Sequence, residues 1–105
     1  MPGLSLFVDL GGNMQDITII FEENANRSAA YDGEKQIGEC DFSVSSGTWT
    51  ITHTGVRPEY GGRGIARHLV EKVIDEARSR HVRIVPVCSY AVRVMEGSGE
   101  YGDVL

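Results

Sequence analysis

Over residues 48–56 apolar and polar positions alternate: Trp49, Ile51 and His53 share one face, and Thr50, Thr52 and Thr54 share the other. This is the period-two pattern of a half-buried strand. Residues 17–23 are β-branched and aromatic and read as a strand. Asn24-Ala25-Asn26 marks a turn, and residues 27–31 read as a short second strand. Asp32-Gly33 is a hairpin signal leading into residues 36–45, where Cys40, Phe42 and Val44 share an inward face. Glu39 and Asp41 alternate outward and are expected to be solvated. Ser45-Ser46-Gly47 turns the chain into the alternating segment. The result is an antiparallel meander of three or four strands.

The period then changes. Ile65, Leu69, Val73 and Ala77 form one stripe, flanked by Ala66, Val70 and Ile74. This is the 3.6-residue repeat of a helix buried on one face, predicted over residues 63–80. Residues 82–88 read as a strand, and Ser89 is placed to cap a short helix through Met95. Strand, helix, strand in this order implies a parallel crossover. The expected fold is a mixed α/β sheet in which the meander is followed by a βαβ crossover. Its parallel pair stands at the centre, with a crevice at the C-terminal ends of those two strands. That topology brings His53, Val56 and Cys88 toward one crevice.

Between the meander and the helix lies Val56-Arg57-Pro58-Glu59-Tyr60-Gly61-Gly62-Arg63-Gly64-Ile65-Ala66-Arg67. Glycines allow a tight turn and close approach of a ligand to the backbone amides. The first turn of a helix has unpaired N–H groups at the positive end of its dipole, which suits a phosphate. Arginines 57, 63 and 67 stand where a helix start would ordinarily favour carboxylates, and fit an anion there. Arg63 is the strongest phosphate contact by this reasoning, while Arg67 has Glu71 within i+4 reach. The loop lacks the Gly-Lys-Ser/Thr end of a Walker motif and the glycine spacing of a dinucleotide fingerprint.

The stretch resembles the acetyl-CoA loop of the GNAT acetyltransferase superfamily, Arg/Gln-x-x-Gly-x-Gly/Ala at a helix start. Gly64 and Ala66 match its last two positions, and Gly61 stands at the Arg/Gln position. His53-Thr54-x-Val56, the loop, Pro86-x-Cys88-Ser89-Tyr90 and Glu100-Tyr101 together resemble the very small single-domain GNAT-like proteins, over residues 17–105. The resemblance implies an acetyl-CoA-dependent N-acetyltransferase acting on an amine of unknown identity. It implies pyrophosphate on the amides from Gly61 to Ala66 (Gly61, Gly62, Arg63, Gly64, Ile65 and Ala66), flanked by Val56, Arg57, Arg67 and Ser89. The pantetheine arm would run between the two parallel strands, bringing the thioester to His53, Cys88 and Tyr90. The alternative within the same fold is a non-catalytic module that binds CoA or acyl-CoA, or serves protein interaction.

The candidate catalytic residues also have local arguments. Cys88 precedes the short helix, whose free amides would favour negative charge on its sulfur. It could receive the acetyl group covalently or position the thioester. His53 suits a general base at neutral pH. Tyr90 is a candidate proton donor to the departing sulfur, by the same resemblance. Cys40 reads as core, and His68 and His81 as exposed. A thiol-based redox role for Cys88 has no resolving partner in sequence.

Composition narrows the rest. A chain of 105 residues makes one domain, assigned to residues 14–105, with residues 1–13 read as an N-terminal extension. Net charge −5 argues against nucleic acid as a partner, yet eight of the ten basic residues fall at or after Arg57, so a local anion site is compatible with it. Two cysteines without metal-type spacing suggest no metal site, no disulfide scaffold and a reducing, cytoplasmic setting. No apolar run is long enough to span a bilayer, and the stretch 4–10 lacks a basic flank and carries Asp9, so no secretory signal is expected. A free sheet edge would allow a homodimer.

Overall fold

A computed structural model describes residues 4–8, 16–97 and 99–105. The strands are β1 (Leu4–Val8), β2 (Asp16–Glu22), β3 (Arg27–Asp32), β4 (Lys35–Ser45), β5 (Thr48–Val56) and β6 (Arg83–Pro86). The helices are α1 (Ile65–Ser79), between β5 and β6, and α2 (Ser89–Glu96), after β6. Among the described residues, six strands form one sheet in sequence order, antiparallel except for the β5–β6 pair. The expected mixed α/β architecture is thus present. The parallel pair stands at one end of the sheet, however, not at its centre, because among the described residues no strand follows β6. Its outer edge is met instead by the C-terminal segment, where Ile84 N–H donates to the Val104 carbonyl at 2.7 Å. Within the expected N-terminal extension, Leu4–Val8 pairs with β2 as the opposite edge strand, and the rest of residues 1–13 lies outside the described residues.

The tight turns follow the residue types that permit them. Ser46 and Gly47 both have positive φ, 49° and 78°, in the two-residue turn between β4 and β5. Positive φ at both central residues matches the right-handed strand twist. The core lies between the sheet and α1, where Ile65, Leu69, Val70, Val73, Ile74 and Ala77 are all buried. They cover Ile17, Ile19, Ala30, Cys40, Ile51 and Ile84 from the sheet. The buried Ser28 hydroxyl donates to the Leu69 carbonyl at 2.8 Å, tying the middle of α1 to β3. Burial pushes the Cys40 thiol up to about 12, so it remains a neutral core group. Val44, expected inside with Cys40 and Phe42, is half exposed because it lies near the hairpin tip, beyond the reach of α1.

One irregularity reorients β5. Asp41 pairs with His53 but Phe42 pairs with Ile51, so Thr52 is an extra residue in β5, a β-bulge. Past the bulge the side-chain parity reverses. Thr54, opposite Cys40, joins Ile51 and Trp49 on the α1 face, and His53, opposite Asp41, points to the other face. The simple alternation that grouped His53 with Trp49 and Ile51 fails at this residue. Gly38 sits beside the end of β5, where a Cβ would lie 3.0 Å from the Gly55 carbonyl oxygen and 3.1 Å from Leu69 Cδ1. Only glycine lets α1 approach β4 and β5 this closely. Gly38→Val should cost about 1–3 kcal/mol of stability through overpacking, measured by urea unfolding followed through Trp49 fluorescence. An unchanged midpoint would contradict this account of the α1–sheet contact.

Candidate functional site

The site is built where β5 and β6 part. The parallel ladder runs from Thr48–Arg83 to Ile51–Pro86 and stops there. The Ile51 carbonyl accepts from both Val87 N–H, at 3.0 Å, and Cys88 N–H, at 3.1 Å. A single acceptor for two successive amides swings the chain away from β5 and into α2. β5 continues through residues 52–56 with no β6 ladder beside it, so a gap opens between the two strands beyond Ile51.

Cys88 stands at the head of that gap as the N-cap residue of α2, one position earlier than the cap expected at Ser89. The Ala91 N–H donates to its sulfur at 3.3 Å, satisfying one of the orphan amides of a helix start. The Thr54 hydroxyl lies 3.4 Å from Cys88 Sγ and 3.5 Å from Cys40 Sγ. It bridges the two sulfurs and has one proton to donate. The hydroxyl donates to Cys40 Sγ, and in its contact with Cys88 either group can be the donor. The sequence offers Thr54 only within the His53-Thr54-x-Val56 motif and on the face away from Trp49 and Ile51, because its inward orientation depends on the bulge at Thr52. Ser89 is exposed on the first turn of α2.

At the other end of the gap, Pro58–Tyr60 forms a single 3-10 turn, and the glycine loop leads into α1. The Tyr60 side chain is buried and its hydroxyl donates to the Asp32 carboxylate of the β3–β4 hairpin, which anchors the loop. That carboxylate raises the hydroxyl above its ordinary value. Gly62 and Gly64 have φ of 77° and 78°, and a Cβ added at either would meet nothing within 4 Å. The glycines therefore serve backbone conformation and open approach, not close internal packing. Gly64 is the N-cap of α1, offers no side-chain cap, and the first turn holds no acidic residue. Its leading amides and positive dipole end are uncompensated by carboxylate.

The loop borders a cleft of about 250 Å³ lined by Val56, Tyr60, Gly61, Gly62, Gly64, Ile65, Ala66 and Tyr90. Tyr90, expected beside the thioester, thus lies against the glycine loop, because the first turn of α2 runs next to the start of α1. The arginines differ in their surroundings. The Arg63 guanidinium lies 5.5 Å from the centre of the Tyr60 ring. Arg57 Nε donates to the Gln36 carbonyl at 3.4 Å. Arg67 pairs with Glu71 at 3.1 Å along the helix, the i+4 partner expected from sequence.

His53 is brought to neither the loop nor Cys88. It occupies the open face, with Nε2 2.8 Å from Glu39 Oε2. Glu39, expected to be a solvated carboxylate, therefore has a defined partner. The sequence signal for that pair is weak, since His53 opposes Asp41 and Glu39 opposes Gly55, and the two side chains meet diagonally on one face only because the bulge at Thr52 turns His53 onto it. Among the described residues, no group of three or more metal-ligating side chains occurs, and no helix is long and apolar enough to cross a membrane.

Comparison with known proteins matches this geometry. The family model described as GCN5-related N-acetyl-transferase matches residues 27–104. The solution structure of a GCN5-like protein from Staphylococcus aureus superimposes with a TM-score of 0.66 at 32% identity, covering 82% of this chain and 84% of that one. The ribosomal-protein-S18-alanine N-acetyltransferase from Escherichia coli shares the fold, with a TM-score of 0.61 at 23% identity. The match covers 75% of this chain and 54% of that enzyme, so the likeness spans about half of its length. A search of curated proteins found no match. The glycine loop at a helix start, the parted parallel strands and the matched family model lead to one assignment: the chain belongs to the GCN5-related N-acetyltransferase family.

Proposed function

We propose that the protein is an acetyl-CoA-dependent N-acetyltransferase. The observation that carries this reading is the uncapped, carboxylate-free start of α1 behind an open glycine loop, facing the gap between β5 and β6. The donor set fits a diphosphate. The Gly61 amide is engaged with the Pro58 carbonyl at 3.0 Å, so the backbone amides from Gly62 to Ala66 supply the hydrogen bonds, the helix dipole adds positive potential, and Arg63 adds a cation. The adjoining cleft gives the pantetheine chain a path past Val56 and Tyr90 toward Cys88. Bound there, acetyl-CoA supplies an activated acyl group, and this chain's residues bind, orient and manage protons around it.

Backbone N–H groups along residues 52–56, which lack a β6 ladder, are assigned to polarise the thioester carbonyl. Donors aimed at developing oxyanion charge are worth several kcal/mol in other enzymes, on the order of 3. Cys88, between the Thr54 hydroxyl and the Ala91 amide, is assigned either to position the thioester or to accept the acetyl group on its sulfur. Tyr90 is assigned to the cofactor wall, with its hydroxyl the candidate proton source for the departing sulfur. A cytoplasmic setting and an amine acceptor complete the proposal.

Isothermal titration should show acetyl-CoA and CoA binding to the wild type, with binding abolished in Gly62→Asp/Gly64→Asp, which adds two carboxylates at the proposed phosphate cradle. Undiminished binding in the variant would remove the loop from the account. Binding without turnover toward any amine would instead support a non-catalytic CoA-binding module. Iodoacetamide at neutral pH should label Cys88 and leave Cys40 unmodified, since Cys40 is buried and its thiol raised to about 12. Saturating acetyl-CoA should slow that labelling, and peptide mass mapping reads both results. A Cys88→Ser variant active within a few-fold of wild type would exclude the covalent route.

A further inference from the structure

Thr54 touches both cysteines of the chain. Its hydroxyl donates to Cys40 Sγ at 3.5 Å and lies 3.4 Å from Cys88 Sγ, where either group can donate. A hydroxyl has one proton and two lone pairs, so it serves one sulfur as donor and the other as acceptor. With both thiols neutral, Cys88 S–H donates to Thr54 and Thr54 donates to Cys40. The two sulfurs differ in what they can become. Burial pushes the Cys40 thiol up to about 12, so it keeps its proton. Cys88 is partly exposed at the start of α2, where the Ala91 N–H already donates to its sulfur at 3.3 Å. Branching at Cβ restricts Thr54 to few rotamers, which suits an oxygen that stays between two fixed sulfurs.

A charged sulfur accepts a hydrogen bond more strongly than a neutral one. We propose that Thr54 is a positioning residue: as Cys88 ionises, the hydroxyl proton turns from Cys40 to Cys88, and the sulfur of the site is held as a thiolate. The Cys88 proton passes to water and the sulfur keeps the electron pair. Cys40 S–H then donates to the Thr54 oxygen. The chain of hydrogen bonds reverses while the three heavy atoms stay in place. Cys40, which the chemistry above leaves unused, is the neutral end of that chain. Charged side chains of the neighbouring elements lie elsewhere. Glu39 and Asp41 of β4 and His53 of β5 point to the opposite face, and Arg83 of β6 and Arg93 of α2 are exposed. α1 presents buried apolar residues to the sheet, and Tyr90 lines the glycine-loop cleft. What the thiolate then does rests on the acetyl-transfer reading above; the reversal of hydrogen bonds does not.

The test is alkylation by iodoacetamide without acetyl-CoA. The Cys88 rate is followed by peptide mass mapping from about pH 6 to about pH 9.5, since the thiolate is the reacting form. Thr54→Val keeps the shape and removes the hydroxyl. It should lower the rate at neutral pH by ~10-fold, the loss of one hydrogen bond to a charged group, and displace the pH–rate curve to higher pH. The limiting rate at high pH should stay within a few-fold. Thr54→Ser keeps a hydroxyl and should stay within a few-fold of wild type at every pH. In the wild type, the Thr54 γ-methyl ¹H–¹³C signal should titrate together with the Cys88 β-carbon. Unchanged Cys88 kinetics in Thr54→Val would overturn the proposal. So would an equal loss in Thr54→Ser, a lower limiting rate with no displacement of the curve, or a Thr54 methyl that ignores the Cys88 titration. The wild-type titration decides the matter even where Thr54→Val opens the core and exposes Cys40. None of these readouts uses acetyl-CoA, so failure of acetyl-CoA to bind would remove the acetyl-transfer reading and leave this result standing.

Discussion

The rest of the site depends on one hydrogen-bonding constraint at Ile51. Its carbonyl takes both the Val87 and the Cys88 amides. β6 therefore ends while β5 continues, and the chain turns directly into α2. Three consequences follow from this pivot. Residues 52–56 keep an edge without a strand partner, Cys88 becomes the N-cap of α2, and the first turn of α2 comes to rest beside the glycine loop. A parallel pair laddered to its full length would close the gap and bury the amides that the proposed chemistry needs. The bulge at Thr52, just beyond the pivot, then divides the two sides, with Thr54 toward the sulfurs and His53 toward Glu39.

The distribution of charge is consistent with this geometry. The chain is acidic overall, with a net charge of −5, and several arginines are engaged with carboxylates. Arg78 with Asp103, Arg80 with Glu23 and Arg67 with Glu71 are such pairs. Exposed pairs of this kind contribute little stability. At the start of α1 the arrangement differs, since the first turn carries no carboxylate. Local field at a helix terminus, not net charge, decides whether an anion is accommodated there.

Much of this was readable in the sequence because the signals were periodic or conformational. The buried stripe of α1, the turn residues Asp32-Gly33 and Ser46-Gly47, and the glycine loop each impose a pattern that tertiary structure did not override. The family resemblance read from the sequence rests on that same loop and its flanking motifs, and the family model matching residues 27–104 bears it out. Features that depend on register were not readable. A single extra residue at Thr52 reverses the face of everything after it, and nothing in a Thr-rich alternating run marks which residue is extra. That hid the Thr54 bridge between Cys40 and Cys88, hid the Glu39–His53 pair, and led to an expected convergence of His53 with Cys88. The place of the parallel pair at the sheet's end was hidden for a related reason, since crossover order fixes handedness and neighbours but not what lies beyond the last strand. The cap at Cys88 in place of Ser89 was a one-residue shift of the kind common at helix ends.

The central claim is that acetyl-CoA lies on the glycine loop and extends along the gap between β5 and β6. A titration with acetyl-CoA followed by amide ¹H–¹⁵N correlation spectra tests it most directly. The account predicts the largest shifts at the amides from Gly61 to Ala66, continuing through residues 52–56 and the Cys88–Tyr90 turn, with β2 and β3 little changed. Saturable shifts centred elsewhere, or none at all, would contradict it.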